Sequence, residues 1–176
     1  MSRTAWTRRA VLPVIAAAAV LAAGAGLAQT NAPEGVRFKA IKVDFAPLRE
    51  NGAGVFAEWL GQMLPAALNS AFAARLAPGD RNAATLIVRV DLATLGPPGM
   101  LTGMGGVPRL HDTMDDIEGS ASVIDAGGRT LSTTPLRSTV LADSNSPSLT
   151  VEELNRNRVV MLGRVFAHEL PGQMGL

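Results

Sequence analysis

Residues 85–92 read Thr-Leu-Ile-Val-Arg-Val-Asp-Leu. Leu86, Val88, Val90 and Leu92 fall on one side of an extended chain, with Ile87, Arg89 and Asp91 on the other. This is the period-two pattern of a strand with one buried face. Its neighbours decide the architecture. Upstream, Arg37 to Phe45 alternates too: Ile41, Val43 and Phe45 face one way, Lys42 and Asp44 the other. Between these strands, Val55 to Leu76 repeats apolar residues at helical spacing. Phe56, Leu60, Met63, Ala67 and Ala71 form one stripe, with Trp59, Leu68 and Phe72 beside it. Strand, helix and strand in succession make two parallel neighbours joined by a crossover. Pro47 and Asn51-Gly52-Ala53-Gly54 are expected to form a loop before the helix. Pro65 is expected to kink or split it, and Pro78-Gly79-Asp80 to stop it.

Downstream, Gly96-Pro97-Pro98-Gly99 opens an irregular stretch that reaches about Asp112. Ile117 to Asp125 alternates again, Ala121 and Val123 inward, Ser120 and Ser122 outward. Asp125-Ala126-Gly127-Gly128 signals a hairpin, and Arg129 to Val140 is its returning strand, with Pro135 marking a bulge or an edge. After a Ser/Asn-rich loop around Pro147, Thr150 and Glu153 have capping-box spacing. Val151, Leu154, Val159, Leu162, Val165, Phe166 and Leu170 then give one apolar face to a terminal helix that Pro171-Gly172 should end. The order is β-α-β-β-β-α. It predicts an α+β two-layer sandwich, with a mixed sheet and both helices on one face. Residues 37–171 are one domain in this reading, preceded by a polar leader at 29–36 and followed by a tail at 172–176.

Residues 1–28 read as an export signal. Arg3, Arg8 and Arg9 precede a stretch from Ala10 to Ala28 that carries no charge and closes on Gly26-Leu27-Ala28, small residues placed for a cut after Ala28. Thr7-Arg8-Arg9-Ala10-Val11-Leu12 resembles the bacterial twin-arginine signal, with Val11 where Phe is usual. The alternative is an uncleaved N-terminal membrane anchor. The whole chain has 176 residues, 16 Lys+Arg, 15 Asp+Glu and 47% hydrophobic residues. Without the signal the balance becomes mildly acidic, and about 43% of residues are apolar, ordinary for a soluble domain. The expected location is the periplasm, with membrane contact only through the signal if it is retained.

Composition also excludes chemistries. With no Cys there is no disulfide, thiolate nucleophile, Cys-based metal site or lipid-acceptor residue, and with 2 His no three-histidine site. No run of Lys/Arg beyond two offers a nucleic-acid footprint. There is no Gly-x-Ser-x-Gly elbow, no Gly-Lys-Ser/Thr after the Gly-rich stretch, and His168-Glu169-Leu170 lacks the second His of a zinc helix.

Three features together resemble a known group. They are the Trp-bearing helix Phe56-Ala57-Glu58-Trp59-Leu60 running on through Ala66-Ala67-Leu68 to Ala73-Ala74-Arg75-Leu76, the strand Thr85 to Leu95, and the hairpin Gly119 to Leu131 turning at Gly127-Gly128. The chain is similar, over about residues 37–170, to small periplasmic auxiliary components of envelope transport systems, the PqiC-like and LptE-like proteins. The resemblance implies a strand-helix-strands-helix domain that binds larger assemblies and has no catalytic residues. Those proteins are usually lipoproteins, whereas this chain has no Cys to acylate.

The function expected is therefore that of an exported, non-enzymatic accessory protein with an envelope protein as partner and no cofactor. Its partner-binding residues are expected in the Gly/Pro/Met loop, at Met100, Leu101 and Met104, because a long apolar loop in a small domain usually has a purpose. The alternative is a soft-metal protein holding copper through Met100, Met104, His111 and Met114, since thioethers and imidazole suit Cu(I). Asp112, Asp115, Asp116 and Glu118 beside His111 offer a carboxylate cluster, either solvated or a hard-cation site. A hydrolase using His111 with a nearby Asp and Ser is the third reading.

Overall fold

The strand at residues 85–92 is the second of four. A computed structural model describes residues 32–33, 35–96, 114–142 and 149–176. The first strand, β1 (Phe38–Asp44), leads into a short helix, α1 (Ala46–Glu50), a long helix, α2 (Gly54–Ala71), and a 3-10 turn at Ala73–Arg75. The strands β2 (Ala84–Thr94), β3 (Met114–Ile124) and β4 (Thr130–Leu141) and the helix α3 (Val151–Gln173) follow. The sheet order is β1-β2-β3-β4, with β1 and β2 parallel and the other pairs antiparallel. The protein is an α+β sandwich with a mixed sheet, in the order β-α-β-β-β-α apart from the added α1.

One sheet face is covered and the other is open. Leu86, Val88 and Val90 of β2 and Ile117, Ala121 and Val123 of β3 have no accessible surface. They meet Leu60, Leu64 and Leu68 of α2 and Val159, Leu162, Phe166 and Leu170 of α3 in one core. Arg89, Pro135, Arg137 and Thr139 lie in solvent on the opposite parity. The hairpin forms where expected: Asp125 accepts the Arg129 N–H through its side chain at 2.8 Å, and Gly128 takes φ 86°. That N–H and the Arg129 guanidinium hold the Asp125 carboxyl below its usual range.

Local chemistry explains where the elements depart from expectation. Pro47 lies in the first turn of α1 rather than in a loop, where a missing N–H costs no hydrogen bond. The Asp44 carboxylate accepts the Ala46 N–H, and Leu48 is fully buried. Pro65 sits inside an unsplit α2, flanked by the fully buried Leu64 and Leu68, whose packing offsets its helix penalty of about 3 kcal/mol. The buried stripe of α2 is Ala57, Leu60, Leu64 and Leu68. Phe56, Met63 and Ala67 are only half-buried and Ala71 is exposed, while Phe56 stacks on Trp59 at 5.7 Å. The Thr150–Glu153 capping box is present in both directions, and the Thr150 N–H keeps Glu153 ionised below the usual Glu range. Pro171 and Gly172 do not end α3, which runs to Gln173. Met174 beyond it is fully buried and accepts the Ala32 N–H at 3.2 Å. The core thus takes in one residue on each side of 37–171.

Two glycines mark the tightest approaches. A Cβ at Gly119 would stand 2.0 Å from the Arg89 carbonyl oxygen, beside the irregularity at Val90/Leu92 where β2 carries an extra residue. A Cβ at Gly163 of α3 would stand 2.7 Å from Leu60 Cδ2 and 3.0 Å from Met63 Sδ of α2. The first obstacle is backbone and the second a pair of side-chain ends that can rotate. Gly119→Ala is therefore expected to cost about 3 kcal/mol or more in chemical denaturation, whereas Gly163→Ala, helped by alanine's helix preference, should stay within about 1 kcal/mol of wild type. Equal losses would contradict this packing.

Candidate functional site

Asp115 shares strand parity with Ile117, Ala121 and Val123, so β3 turns it toward the helices rather than toward water. Arg158 on α3 shares a face with Leu154 and Leu162 and is turned toward the sheet. The two side chains are 3% and 4% exposed and form a two-pronged ion pair. Arg158 Nε donates to Asp115 Oδ2 at 3.0 Å, and Nη2 donates to Oδ1. The pair also holds both peptide groups of Gly96, just past the end of β2. Arg158 Nη2 donates to the Gly96 carbonyl at 2.6 Å, and the Gly96 N–H donates to Asp115 Oδ1 at 3.1 Å.

Above this pair is a cavity of about 170 Å³ between β4 and the N-terminal half of α3. Val140, Leu141, Leu149, Leu154 and Met161 form its apolar walls, and Asp115, Asn157 and Arg158 its polar part. Its rim is unusually apolar for a surface: Leu141 is 64% exposed, Met161 53% and Leu149 36%. Gly96, just past the end of β2, and Met114, which begins β3, also lie at this end of the sheet.

The open face carries a second, shallower depression of about 440 Å³ over Gly119, bordered by Asp91, Glu118, Pro135, Arg137 and Gln173. Arg137 binds Asp116 at 2.5 Å and Glu118 at 3.5 Å, and Arg89 binds Asp91 at 2.7 Å. The hydrogen-bonded Asp116 carboxylate raises the Arg137 pKa above that of a free guanidinium. Both guanidiniums named here are thus paired with carboxylates. The outer edge of β4 is closed at its middle. Gln173 accepts the Arg137 N–H at 3.1 Å and donates to the Arg137 carbonyl at 2.9 Å, and Pro135 brings no donor. These devices block strand addition there.

The expected site residues fare unequally. Met100, Leu101, Met104 and His111, together with Asp112 and the signal residues Arg8, Arg9 and Ala28, lie outside the described residues. Met114 opens β3, half-buried and opposite Leu141. His168 is exposed on α3. The carboxylates that adjoin in sequence do not converge: a strand sends neighbours to opposite faces, so Asp115 meets Arg158 while Asp116 and Glu118 meet Arg137. Among the described residues, no group of three His, Asp or Glu could hold a metal ion. Arg158, Leu141, Leu149 and Met161 were missed by the sequence reading. The signal for Arg158 was an acid at an inward strand position together with an arginine on the apolar face of the last helix.

No protein-family model matches the sequence, and neither does any curated protein. Among solved structures, the chain is similar to one described as a "putative lipoprotein" from Caulobacter crescentus CB15, with TM-score 0.40 and 14% identity over 65% of this chain and 80% of that one. It is also similar to an uncharacterized protein, with TM-score 0.36 and 19% identity, covering 66% of this chain and 62% of that one.

Removing one partner of a buried ion pair strands the other, at a cost of about 3–5 kcal/mol. Asp115→Ala should therefore lower the unfolding free energy of the protein by about that much. Asp116→Ala, which breaks a solvent-facing pair, should cost less than about 1 kcal/mol. Equal losses in parallel urea titrations would contradict the assignment.

Proposed function

We propose that this chain is an exported accessory protein of a bacterial envelope process that acts by binding a protein partner rather than by catalysis. The observation that carries the reading is the grouping of exposed Leu141, Leu149 and Met161 around one cavity. Isolated exposed apolar residues are ordinary, but a contiguous set beside a concavity suits a protein contact. The partner-binding segment proposed from sequence, with Met100, Leu101 and Met104, leaves and rejoins the sheet at the same end, through Gly96 and Met114. Thioether side chains adapt their shape to a partner at little cost. The blocked middle of the β4 edge favours this end of the molecule over strand addition there.

Export is the second part of the proposal, and residues 1–28 support it. Arg8 and Arg9 would direct the chain to the twin-arginine pathway, with cleavage after Ala28 leaving a periplasmic protein beginning at Gln29. No described helix is long and apolar enough to cross a membrane.

One experiment tests both parts. The full chain, carrying a photo-crosslinking residue at position 161, is expressed in its own host and the periplasm is fractionated. The expected result is a periplasmic protein beginning at Gln29 that forms a discrete protein adduct. Deletion of Gly99–Gly106 should abolish the adduct with little change in thermal midpoint, and Arg8→Lys/Arg9→Lys should leave the protein uncleaved in the cytoplasm. The absence of any adduct would overturn the binding role, an adduct that survives the deletion the part given to Met100, Leu101 and Met104, and unimpaired export of the Lys pair the pathway.

A further inference from the structure

The Asp115 carboxylate at the base of the cavity is fully engaged, accepting from Arg158 Nε and Nη2 and from the Gly96 N–H. The Arg158 guanidinium is not. Its Nε and Nη2 donate to Asp115 and to the Gly96 carbonyl, while Nη1 makes no hydrogen bond among the described residues. The side-chain polar atoms sealed from solvent without a partner are, among those residues, the Ser132 and Thr134 hydroxyls. Nη1 is not one of them, so it keeps contact with open space, and the space that Arg158 lines is the cavity. A side chain only 4% exposed thus presents an unused donor beside apolar walls. Donors this deep in a protein seldom go without an acceptor.

Three properties define what fits. The first is size. The cavity of about 170 Å³ is smaller than the sites of about 300–1,000 Å³ that enclose drug-sized ligands, but a cavity of about 150 Å³ takes up a benzene ring, the bulk of one leucine or phenylalanine side chain. The second is charge. Asp115 already neutralises Arg158, so an anion would bring an uncompensated charge into an apolar space, whereas a neutral carbonyl oxygen satisfies Nη1 without one. The third is the rim. Leu141, Leu149 and Met161 stand exposed around the mouth, and a free molecule small enough for the cavity would leave them in water. A polypeptide covers them, as the surroundings of a buried anchor residue exclude water at protein interfaces.

We infer that the cavity receives one apolar side chain of the partner protein, with a neutral main-chain carbonyl beside that side chain accepting from Arg158 Nη1. This rests on the protein-partner reading and names the chemistry of its contact. Asn157, exposed at the mouth, adds an amide donor and acceptor for the same main chain.

Isocaproamide carries the apolar end of a leucine and a neutral carbonyl. Isocaproate at neutral pH has the same body with an anionic head, and acetamide has the head without the body. Each is titrated into the protein, isotope-labelled at its methionine methyl groups, and the Met161 signal, assigned by its loss in Met161→Leu, is followed. Isocaproamide should shift it saturably, with a dissociation constant on the order of 1–10 mM for a ligand of its size. Isocaproate and acetamide should each bind at least about tenfold more weakly. Leu154→Trp, which fills the cavity from α3, should lose both isocaproamide binding and the adduct formed through position 161 while keeping its urea midpoint. The titrations of the wild-type chain decide the inference whether or not that variant folds. It is overturned by the absence of a saturable shift with isocaproamide, by equal binding of the anion, or by an adduct that persists in a Leu154→Trp protein unable to bind isocaproamide. Because the titrations need no partner, a silent cavity beside a discrete adduct rejects this inference and leaves the accessory role, whereas isocaproamide binding without any adduct rejects the role and leaves the chemistry of the site.

Discussion

Everything at the candidate site depends on the hydrogen-bonded ion pair between Asp115 and Arg158, which ties the start of β3, the N-terminal half of α3 and the end of β2 to one another. Apolar packing alone would hold the helices on the sheet, since Leu60, Leu64, Leu162, Phe166 and Leu170 are fully buried among the strand residues. Such packing has no strong directional preference. The pair adds direction, because a guanidinium fork and a carboxylate satisfy each other only in a narrow geometry. It therefore fixes where α3 stands along β3 and β4. That in turn sets Leu154 and Met161 opposite Val140 and Leu141, and the cavity between them follows from that placement.

The sheet divides its faces and ends by function in the same physical terms. Its inward face is the core. Its outward face carries ion pairs, with Arg137 held by Asp116 and Glu118 and Arg89 by Asp91. Such exposed pairs add little stability. The β4 edge is blocked by a glutamine side chain that imitates a strand and by Pro135. The end of the sandwich near Asp115 is different. There, apolar side chains remain exposed around a concavity, and there the chain leaves the sheet twice, after Gly96 and after Leu141.

Most of the fold was legible because its determinants are local. The alternation of Leu86, Val88 and Val90, the Asp-Ala-Gly-Gly turn and the Thr150–Glu153 capping box each need only a few adjacent residues to express their preference, and each appears as read; Leu92 does not follow, because the extra residue of β2 between Val90 and Leu92 turns it outward, 39% exposed, and buries Ala93 instead. The departures arise where long-range packing outweighs a local rule. Pro65 and Pro171 would end isolated helices, but the buried residues on either side keep the helix continuous. Pro47 was read as a breaker, although in a first helical turn it is compatible. The apolar stripe of α2 was drawn through Phe56, Leu60, Met63, Ala67 and Ala71, whereas burial selected Ala57, Leu60, Leu64 and Leu68, about one position round the helix. The site was harder to read. Grouping Asp115, Asp116 and Glu118 by proximity ignored the strand that parts them, and the partner of Asp115 lies 43 residues away on α3. Strand parity alone would have shown a buried acid in need of a cation.

The central claim is that the pair holds the Gly96 peptide as firmly as it holds itself. Amide hydrogen exchange at Gly96, measured residue by residue in the folded protein, tests it most directly, because that N–H has Asp115 Oδ1 as its acceptor and no ladder partner. The account predicts protection comparable to that of the β2 amides inside the ladder, disappearing in Asp115→Asn/Arg158→Gln while the ladder amides keep theirs. Exchange at Gly96 in the wild-type protein at the rate of an unstructured peptide would contradict it.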